Sequence, residues 1–131
     1  MKILALDVGG TAIKSGIVDK DGNVTDMRST PSGCINAQTL TQSAISVING
    51  YDGFDVVAVS MTGQIDNKTQ RTLASFNGKE LERASFPVGE LLQKAAGCPV
   101  FVLNDANAAA LGEAKYGAGK DCADFICITY G

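Results

Sequence analysis

The sequence predicts an α/β fold in which helices lie on both faces of a mixed central sheet. Three strand-like segments at the start are joined by short turns, which is typical of antiparallel pairing. From about residue 36 onwards, helical periodicity alternates with short apolar runs, and this order implies parallel strands. The chain has 131 residues, of which 45% are hydrophobic and 19% are charged. It is therefore long enough for one domain with a sizeable core.

The antiparallel part opens the chain. We expect strands over residues 2–6, 12–18 and 23–29. The Asp-Lys-Asp-Gly sequence at residues 19–22 has the composition of a hairpin turn between the second and third strands. Thr-Pro-Ser-Gly at residues 30–33 predicts a loop that leads out of the third strand.

The remainder of the chain alternates helices with strands. Helices are predicted over residues 36–49, 87–96 and 105–116, and strands over residues 55–61, 100–103 and 124–130. Gly50 and Gly97 end the first two helices, and Asn104 or Asp105 caps the third. Residues 62–86 are polar and contain glycine, and loops of this length are commonly functional.

Charge and hydropathy argue against several partners and locations. The net charge is −3, which argues against nucleic acid or an anionic membrane as the main partner. No apolar run approaches the roughly eighteen residues that a membrane span needs. Met1 and Lys2 lead directly into a strand without a signal peptide, so the cytoplasm is the default compartment.

The cysteines and the lack of histidine limit the metal sites and catalytic mechanisms that the sequence can support. Cys34, Cys98, Cys122 and Cys127 form no C-x-x-C pair, so their spacing gives no reason to expect a zinc site. We expect reduced thiols, with Cys127 a small core residue of the last strand. The sequence contains no histidine, which removes Ser-His-Asp and Cys-His mechanisms, so acid–base chemistry falls to a carboxylate.

The stretch LALDVGGTAIK, residues 4–14, indicates a strand, a tight glycine turn and a second strand. Gly9 and Gly10 permit positive φ and carry no Cβ, so their amides can converge on an anion. Thr11 adds a hydroxyl and Lys14 a positive charge, which would complete a phosphate-binding turn. The alternative is an ordinary hairpin whose aspartate and threonine only satisfy local backbone. The stretch matches neither the Walker A loop nor the dinucleotide G-x-G-x-x-G pattern.

A second candidate site lies where a buried strand meets a helix, in LNDAN at residues 103–107. Ligands of open α/β sheets bind beyond the carboxyl ends of strands, so this segment, residues 6–7 and residues 61–63 can converge on one crevice. A carboxylate at a helix start is kept ionised, which suits phosphoryl transfer, where the acid orients a hydroxyl and takes its proton late. The alternative is that Asp105 is simply an N-cap, worth about 1 kcal/mol.

Three segments together resemble the signatures of the ROK family of sugar kinases (repressor, open reading frame, kinase), which belongs to the actin-like ATPase superfamily. Residues 4–14 are similar to the first phosphate motif of that family. VSMTGQID at residues 59–66 resembles its Ser-x-Pro-Gly-x-Val-Asp segment, with Thr62 in place of the proline. NDANAAALGE at residues 104–113 is similar to its most specific signature. The resemblance implies a ribonuclease-H-like lobe and transfer of the γ-phosphoryl group of ATP to a sugar hydroxyl.

The resemblance also implies roles for individual residues, with ATP and Mg²⁺ as cofactors and a small-molecule sugar as substrate. Asp105 would be the catalytic base, and Asp7 would help to place Mg²⁺ through water. The sugar would be held by Gly63, Asn77, Asn104 and Asp105, and the ATP phosphates by Asp7, Gly9, Gly10, Thr11 and Lys14.

The family pattern extends beyond this chain. Its second phosphate loop should begin at Tyr130 and Gly131, so residues 1–131 would be the N-terminal lobe of a sugar kinase, with the C-terminal lobe absent and no activity alone. A homodimer of the full-length protein is possible. One alternative is the sugar-sensing module of a ROK-type transcriptional regulator, and another is a lobe of a different actin-like ATPase. No winged helix-turn-helix precedes the first strand, which favours a kinase over a regulator.

Overall fold

The computed structural model describes residues 1–77, 80–82 and 85–130, and for residues 75–77 and 80–82 it describes the backbone alone. The described strands and helices are, in chain order, β1 (Ile3–Val8), β2 (Ala12–Val18), β3 (Val24–Pro31), α1 (Ala37–Ile48), β4 (Val56–Met61), β5 (Gln64–Asp66), β6 (Arg71–Asn77), β7 (Glu80–Glu82), α2 (Val88–Ala96), β8 (Val100–Asn104) and α3 (Asp105–Tyr116).

A five-stranded sheet in the order β3-β2-β1-β4-β8 forms the centre of the fold. Its first three strands are antiparallel, and β4 and β8 run parallel to β1, which confirms the predicted mixed sheet. The pairing places Val8 beside Met61 and Met61 beside Asn104. The carboxyl ends of three neighbouring parallel strands therefore share one edge of the sheet.

One face of this sheet packs against α1 and α2. Leu4, Leu6 and Val8 alternate along β1 on this face, and each is at most 2% exposed. Burying a large aliphatic side chain contributes about 1.5–3 kcal/mol, so this layer is the main source of stability. The buried cluster also contains Leu40, Ala44, Val47 and Ile48 of α1, Val88 and Leu92 of α2, and Val57, Val59, Val100 and Val102 of the neighbouring strands.

The opposite face carries α3, which confirms the expectation of helices on both faces. No residue of α3 is buried, because the helix covers only part of the sheet. A groove of about 700 Å³ runs between the sheet and α3. Its apolar lining includes Ala5, Ala58, Phe101, Leu111 and Tyr116.

Both helices of the core face begin and end within about one residue of the predicted bounds. The Asn36 side chain accepts from the Thr39 amide at 3.0 Å, and the Thr39 hydroxyl oxygen accepts from the Asn36 amide at 3.1 Å, so a capping box starts α1. Gly97 ends α2 in the left-handed conformation, with φ of 67°. None of the helices in the described residues is long and apolar enough to cross a membrane.

The edge strand β3 is irregular. Its register with β2 shifts between Ser15 and Ile17, so that two residues of β3, Asp26 and Met27, face one residue of β2. Asp26 has a positive φ of 49°, and its carboxylate pairs with Arg28 at 2.7 Å. The Arg28 guanidinium in turn lies 4.0 Å from the ring centroid of Tyr51, which fixes the edge strand to the loop after α1.

Residues 62–86 contain short strands, so the prediction of one long loop is wrong. β5, β6 and β7 pair antiparallel within this segment. At the start of β6, Thr72 is fully buried and Ala74 is 5% exposed, whereas Leu73 between them is half exposed. This alternation is the period of a strand, but the polar composition of the segment hides it from a hydropathy pattern.

Gln70 joins the small sheet to the rest of the fold. Its side-chain Oε1 accepts from the Val102 amide of β8 at 2.6 Å, and its carbonyl accepts from the Gly89 amide of α2 at 2.9 Å. Gln70 has a positive φ of 55°, and a Cβ built on Gly89 would lie only 2.5 Å from the Gln70 Cβ. The close approach of the two backbones therefore requires glycine at position 89.

Residues 124–130 form no strand, so the predicted last strand is wrong. Ile126, Ile128 and Tyr130 are almost fully exposed, and Cys127 is half-buried rather than a core residue. An apolar run becomes a strand only when another strand supplies hydrogen-bond partners. Within the described residues, neither sheet pairs with this segment. All four cysteines are free, as expected.

Candidate active site

Two of the acidic side chains predicted to form a site, those of Asp7 and Asp105, lie at one edge of the central sheet. Asp7 lies at the carboxyl end of β1, and Asp105 follows β8 directly. In the sheet, β4 separates these two strands. Because neighbouring strands are about 4.8 Å apart, β1 and β8 run roughly 10 Å apart. The structure thus brings the glycine turn and the acid to the same edge.

The turn between β1 and β2 offers two free amides, those of Gly10 and Thr11, which are both exposed. Neither amide donates to any atom of the described residues. The amide of Gly9 was expected to face an anion as well, but it donates to the Ala12 carbonyl at 3.1 Å and closes the hairpin. Neither Gly9 nor Gly10 uses the positive φ that glycine permits.

Asp7 and Lys14 lie directly opposite each other on β1 and β2. Both side chains line the groove beside α3, and the ion pairs found in the described residues do not include them. Ser60 of β4 donates to Asp7 Oδ1 at 3.2 Å, which orients the carboxylate. Sequence reasoning missed this serine, although the parallel pairing of Asp7 with Ser60 could have identified it.

Asp105 is the first residue of α3, and its carboxylate is held at one oxygen. Oδ1 accepts from the Asn104 side-chain amide at 2.9 Å and from the Ala106 amide at 2.8 Å. Oδ2 accepts from none of the described residues, and the side chain is exposed. One oxygen is therefore fixed, and the other is free to accept a further hydrogen bond.

Asn104, not Asp105, is the N-cap of α3. Its Oδ1 accepts from the Asn107 amide at 3.2 Å, and its Nδ2 donates to the Gly63 carbonyl at 2.8 Å. The reading of Asp105 as a simple N-cap is therefore wrong. Gly63 has φ of 102°, a conformation that favours glycine, and it places the β4–β5 turn against the start of α3.

One further residue of the sugar-site prediction is Asn77, and Asp66, which was not predicted as a ligand, lies nearby in the sequence. Asn77 ends β6, but its side chain lies outside the described residues. Asp66 of β5 holds the following turn, since its carboxylate accepts from the Lys68 amide at 2.9 Å and from the Thr69 hydroxyl at 2.8 Å. These two hydrogen bonds keep the pKa of the Asp66 carboxyl below its ordinary value. The contacts give Asp66 a local role in the turn.

At this edge, the described residues offer a metal ion isolated carboxylates rather than a cluster. The described residues contain no group of three or more histidine, cysteine, aspartate or glutamate side chains that could hold one. Asp7 has one oxygen free of hydrogen bonds from the described residues, and it lies at the base of the glycine turn. This arrangement fits Mg²⁺, which keeps much of its water shell and takes its other ligands from phosphate oxygens.

The sequence model of the ROK family matches residues 3–131, which is almost the whole length of this sequence. This chain belongs to the ROK family. The ROK chain is 34% identical over 128 residues to a glucokinase of Streptomyces coelicolor. It is 36% identical over 132 residues to a beta-glucoside kinase of Listeria monocytogenes. The alignments cover 98% and 100% of this chain but 40% and 44% of those relatives, so the chain spans about two fifths of their length.

Solved structures of ROK proteins share the fold. A ROK family glucokinase from Streptomyces griseus, in complex with glucose and AMPPNP, matches 92% of this chain and 38% of that chain, with a TM-score of 0.78 and 27% identity. The structure of a ROK family transcriptional regulator, a homologue of the E. coli MLC protein, matches 92% of this chain and 32% of its own chain, with a TM-score of 0.77. At 22% identity the second likeness shows the fold alone. These likenesses confirm the predicted ribonuclease-H-like, actin-like fold, and family membership decides against a different actin-like ATPase.

Proposed function

We propose that this chain is the N-terminal lobe of an ATP-dependent sugar kinase, in which Asp105 is the catalytic base. The observation that carries this proposal is the position of Asp105 at the same sheet edge as the free amides of Gly10 and Thr11. Its similarity to a glucokinase and a beta-glucoside kinase supports a hydroxyl of a hexose as the acceptor, and its 34% identity to an N-acetylmannosamine kinase supports an aminosugar.

In the proposed reaction, the sugar oxygen forms a bond to the γ-phosphorus of ATP. The bond from that phosphorus to the bridging oxygen breaks, which leaves ADP and a sugar phosphate. Asp105 Oδ2 accepts a hydrogen bond from the sugar hydroxyl and takes its proton late in the transfer. The hydrogen bonds from Asn104 and Ala106 to Oδ1 hold the carboxylate still, so the hydroxyl is oriented before the reaction.

The glycine turn binds the phosphate end of the nucleotide in this proposal. The Gly10 and Thr11 amides donate to phosphate oxygens, and Lys14 supplies a positive charge beside them. Asp7 would hold Mg²⁺ through a water molecule. When bound, Mg²⁺ neutralises the charge that develops on the phosphates during transfer.

The sugar contacts come from the same edge. Asn104 Oδ1 accepts one hydrogen bond from the Asn107 amide, so its second lone pair is available to a sugar hydroxyl. The backbone of Gly63, held by the Asn104 side-chain amide, lies beside it. Asn77 remains part of the proposed sugar site.

The proposal is tested on the full-length protein with a coupled ADP-release assay over a panel of hexoses and aminosugars. For a sugar that is accepted, Asp105→Asn should lower kcat at least about a hundredfold while the Kd for the sugar changes little. Asp52→Asn is the matched control, because Asp52 is exposed before β4, at the opposite edge of the sheet. Near-normal turnover by Asp105→Asn would remove Asp105 as the base. If the wild type releases no ADP with any sugar of the panel, the kinase proposal is refuted.

A sugar-sensing module of a ROK-type regulator is the second candidate, because a ROK regulator shares the fold with a TM-score of 0.77. The reading frame around this segment discriminates the two. A recognition helix encoded upstream would favour the regulator, and a second glycine loop encoded downstream would favour the kinase.

A further inference from the structure

We propose that Ser32 and Ser43 are positioning residues that hold the glycine turn in the form that binds phosphate. The inference deepens the proposed kinase function and rests on it. Ser32 lies in the connection between β3 and α1, and Ser43 lies on α1. Both residues fall outside the three segments that carry the resemblance to the family.

Ser32 holds two carbonyl groups of the turn, those of Gly10 and Thr11. It is fully buried, and its hydroxyl donates to the Gly10 carbonyl at 2.6 Å. Its backbone amide donates to the Thr11 carbonyl at 3.0 Å. A buried hydroxyl is costly unless it is hydrogen-bonded, so the contact with Gly10 is the arrangement that makes serine tolerable here.

These contacts determine where the free amide of Thr11 points. In a planar trans peptide the C=O and N–H groups point in opposite directions. The Gly10 carbonyl is directed at Ser32, so the N–H of Thr11 in the same peptide unit is directed away from it. That N–H donates to no described residue. Ser32 therefore aims a phosphate-binding donor without itself contacting the nucleotide.

Ser43 extends this connection to the core. Its hydroxyl donates to the Ser32 carbonyl at 2.6 Å. The helix that carries Ser43 is fixed by its capping box and by the buried residues Leu40, Ala44 and Val47. A chain of hydrogen bonds thus runs from a rigid helix through Ser32 to the turn.

The turn has few other restraints. A Cβ built on Gly10 would meet nothing within 4 Å, so no packing holds this residue in place. Glycine loses more backbone freedom on ordering than any other residue. Without the hydrogen bond from Ser32, binding of phosphate would have to supply that ordering, and affinity for ATP would fall.

The experiment compares three serine-to-alanine variants of the full-length protein, made at Ser32, Ser43 and Ser46. Ser46 is the matched control, since it lies on the same helix but is exposed and makes no contact with the turn. For each variant, kcat and the KM values for ATP and sugar are measured, together with the Kd values for ATP and adenosine.

Ser32→Ala should raise the KM and Kd for ATP about five- to tenfold, because one buried hydrogen bond to the turn is lost. Ser43→Ala should raise them about two- to threefold, because it loosens Ser32 without removing a bond to the turn. The KM for sugar and the Kd for adenosine should stay within about twofold of wild type, since in the proposed complex the turn contacts only the phosphates of ATP. Ser46→Ala should leave all values unchanged.

Unchanged ATP constants in both folded variants would overturn the positioning role. Equal increases in the ATP and sugar constants would also overturn it, since they would indicate general loosening. If Ser32→Ala does not fold, the selective effect of Ser43→Ala decides. A wild type that binds ATP but phosphorylates no sugar would refute the kinase, and the ATP Kd values of the variants would still test the positioning role.

Discussion

Replacing Gly89 with alanine should destabilise the chain, although alanine is the better helix former. Gly89 lies in the first turn of α2, and a Cβ there would lie 2.5 Å from the Gln70 Cβ and 2.9 Å from the Gln70 carbonyl oxygen. Gln70 cannot retreat freely, because its amide donates to the Asp66 carbonyl at 2.7 Å and its Oε1 accepts from the Val102 amide at 2.6 Å. The clash must therefore be relieved at the expense of these contacts.

The magnitude follows from three contributions. Overpacking costs about 1–3 kcal/mol, and each hydrogen bond of Gln70 that is lost costs about 0.5–1.5 kcal/mol. The higher helix propensity of alanine returns at most about 1 kcal/mol. The net loss should be about 2–3 kcal/mol in the free energy of unfolding, which corresponds to a decrease in Tm of roughly 10 °C for a domain of this size.

Urea unfolding followed by far-UV circular dichroism measures this change. Gly112→Ala on α3 is the matched control, because a Cβ there meets nothing within 4 Å. It should stabilise the chain by about 0.5–1 kcal/mol. A Gly89→Ala variant that is as stable as the wild type would refute the argument from close approach.

A second variant tests whether Gln70 is the cause. Gln70 has a positive φ, so Gln70→Gly is compatible with the backbone and removes the clashing Cβ. In the Gln70→Gly background, Gly89→Ala should cost at least about 1 kcal/mol less than in the wild type. Additive effects of the two substitutions would place the strain elsewhere.

Three further predictions concern stability, pH and activity. Tyr51→Phe should lower the free energy of unfolding, measured in urea, by about 1–2 kcal/mol. The Tyr51 hydroxyl donates to the Asp26 carbonyl at 2.8 Å and lies 2.9 Å from the hydroxyl of a buried serine on β2, and both contacts are lost in the variant. The control is Tyr116→Phe at an exposed position, which should change stability by less than about 0.5 kcal/mol. The lowered pKa of Asp66 contributes stability that is fully present above the unfolded-state pKa of about 3.9 and is lost as the pH falls through the folded-state pKa. In urea titrations between about pH 5 and pH 2, the Asp66→Asn variant should therefore lose less stability than the wild type. The purified 131-residue chain should release no ADP with any hexose, because the proposed kinase needs a second lobe, and turnover by this chain alone would contradict the domain proposal.

Local patterns were sufficient to predict most of the fold. The glycine and asparagine caps and the apolar periodicity located α1, α2 and α3 to within a residue or so. Strand ends were less predictable, because pairing extends strands beyond their apolar runs. Ala12 pairs with Pro31, for example, so β3 continues into what the sequence presents as a loop.

The wrong predictions share a cause, which is dependence on distant partners. Thr72 is fully buried in β6 and bridges to Phe86, which no local pattern reveals in a polar segment. Residues 124–130 have the composition of a buried strand, but no described strand pairs with them. Composition indicates that a segment can form a strand, whereas the neighbours decide whether it does.

The candidate site was predicted in part. The rule that ligands bind at the carboxyl ends of parallel strands located Asp7 and Asp105. The rule could not show that the Gly9 amide is used within the hairpin, because that depends on the backbone of the turn. Nor could it identify Ser32 and Ser60, whose contacts with the site follow from strand register and from the path of the chain into α1.

The two outer strands of the central sheet also bear on self-association. Unpaired edge strands tend to recruit strands from other molecules. On the outer side of β8, the Gln70 side chain accepts a hydrogen bond from a backbone amide, so this amide is not available to another strand. At the other edge of the sheet, β3 is distorted by its irregular register with β2 and carries a charged pair. Neither margin is a flat template for a sixth strand, so we expect the central sheet to resist edge-to-edge pairing with another copy.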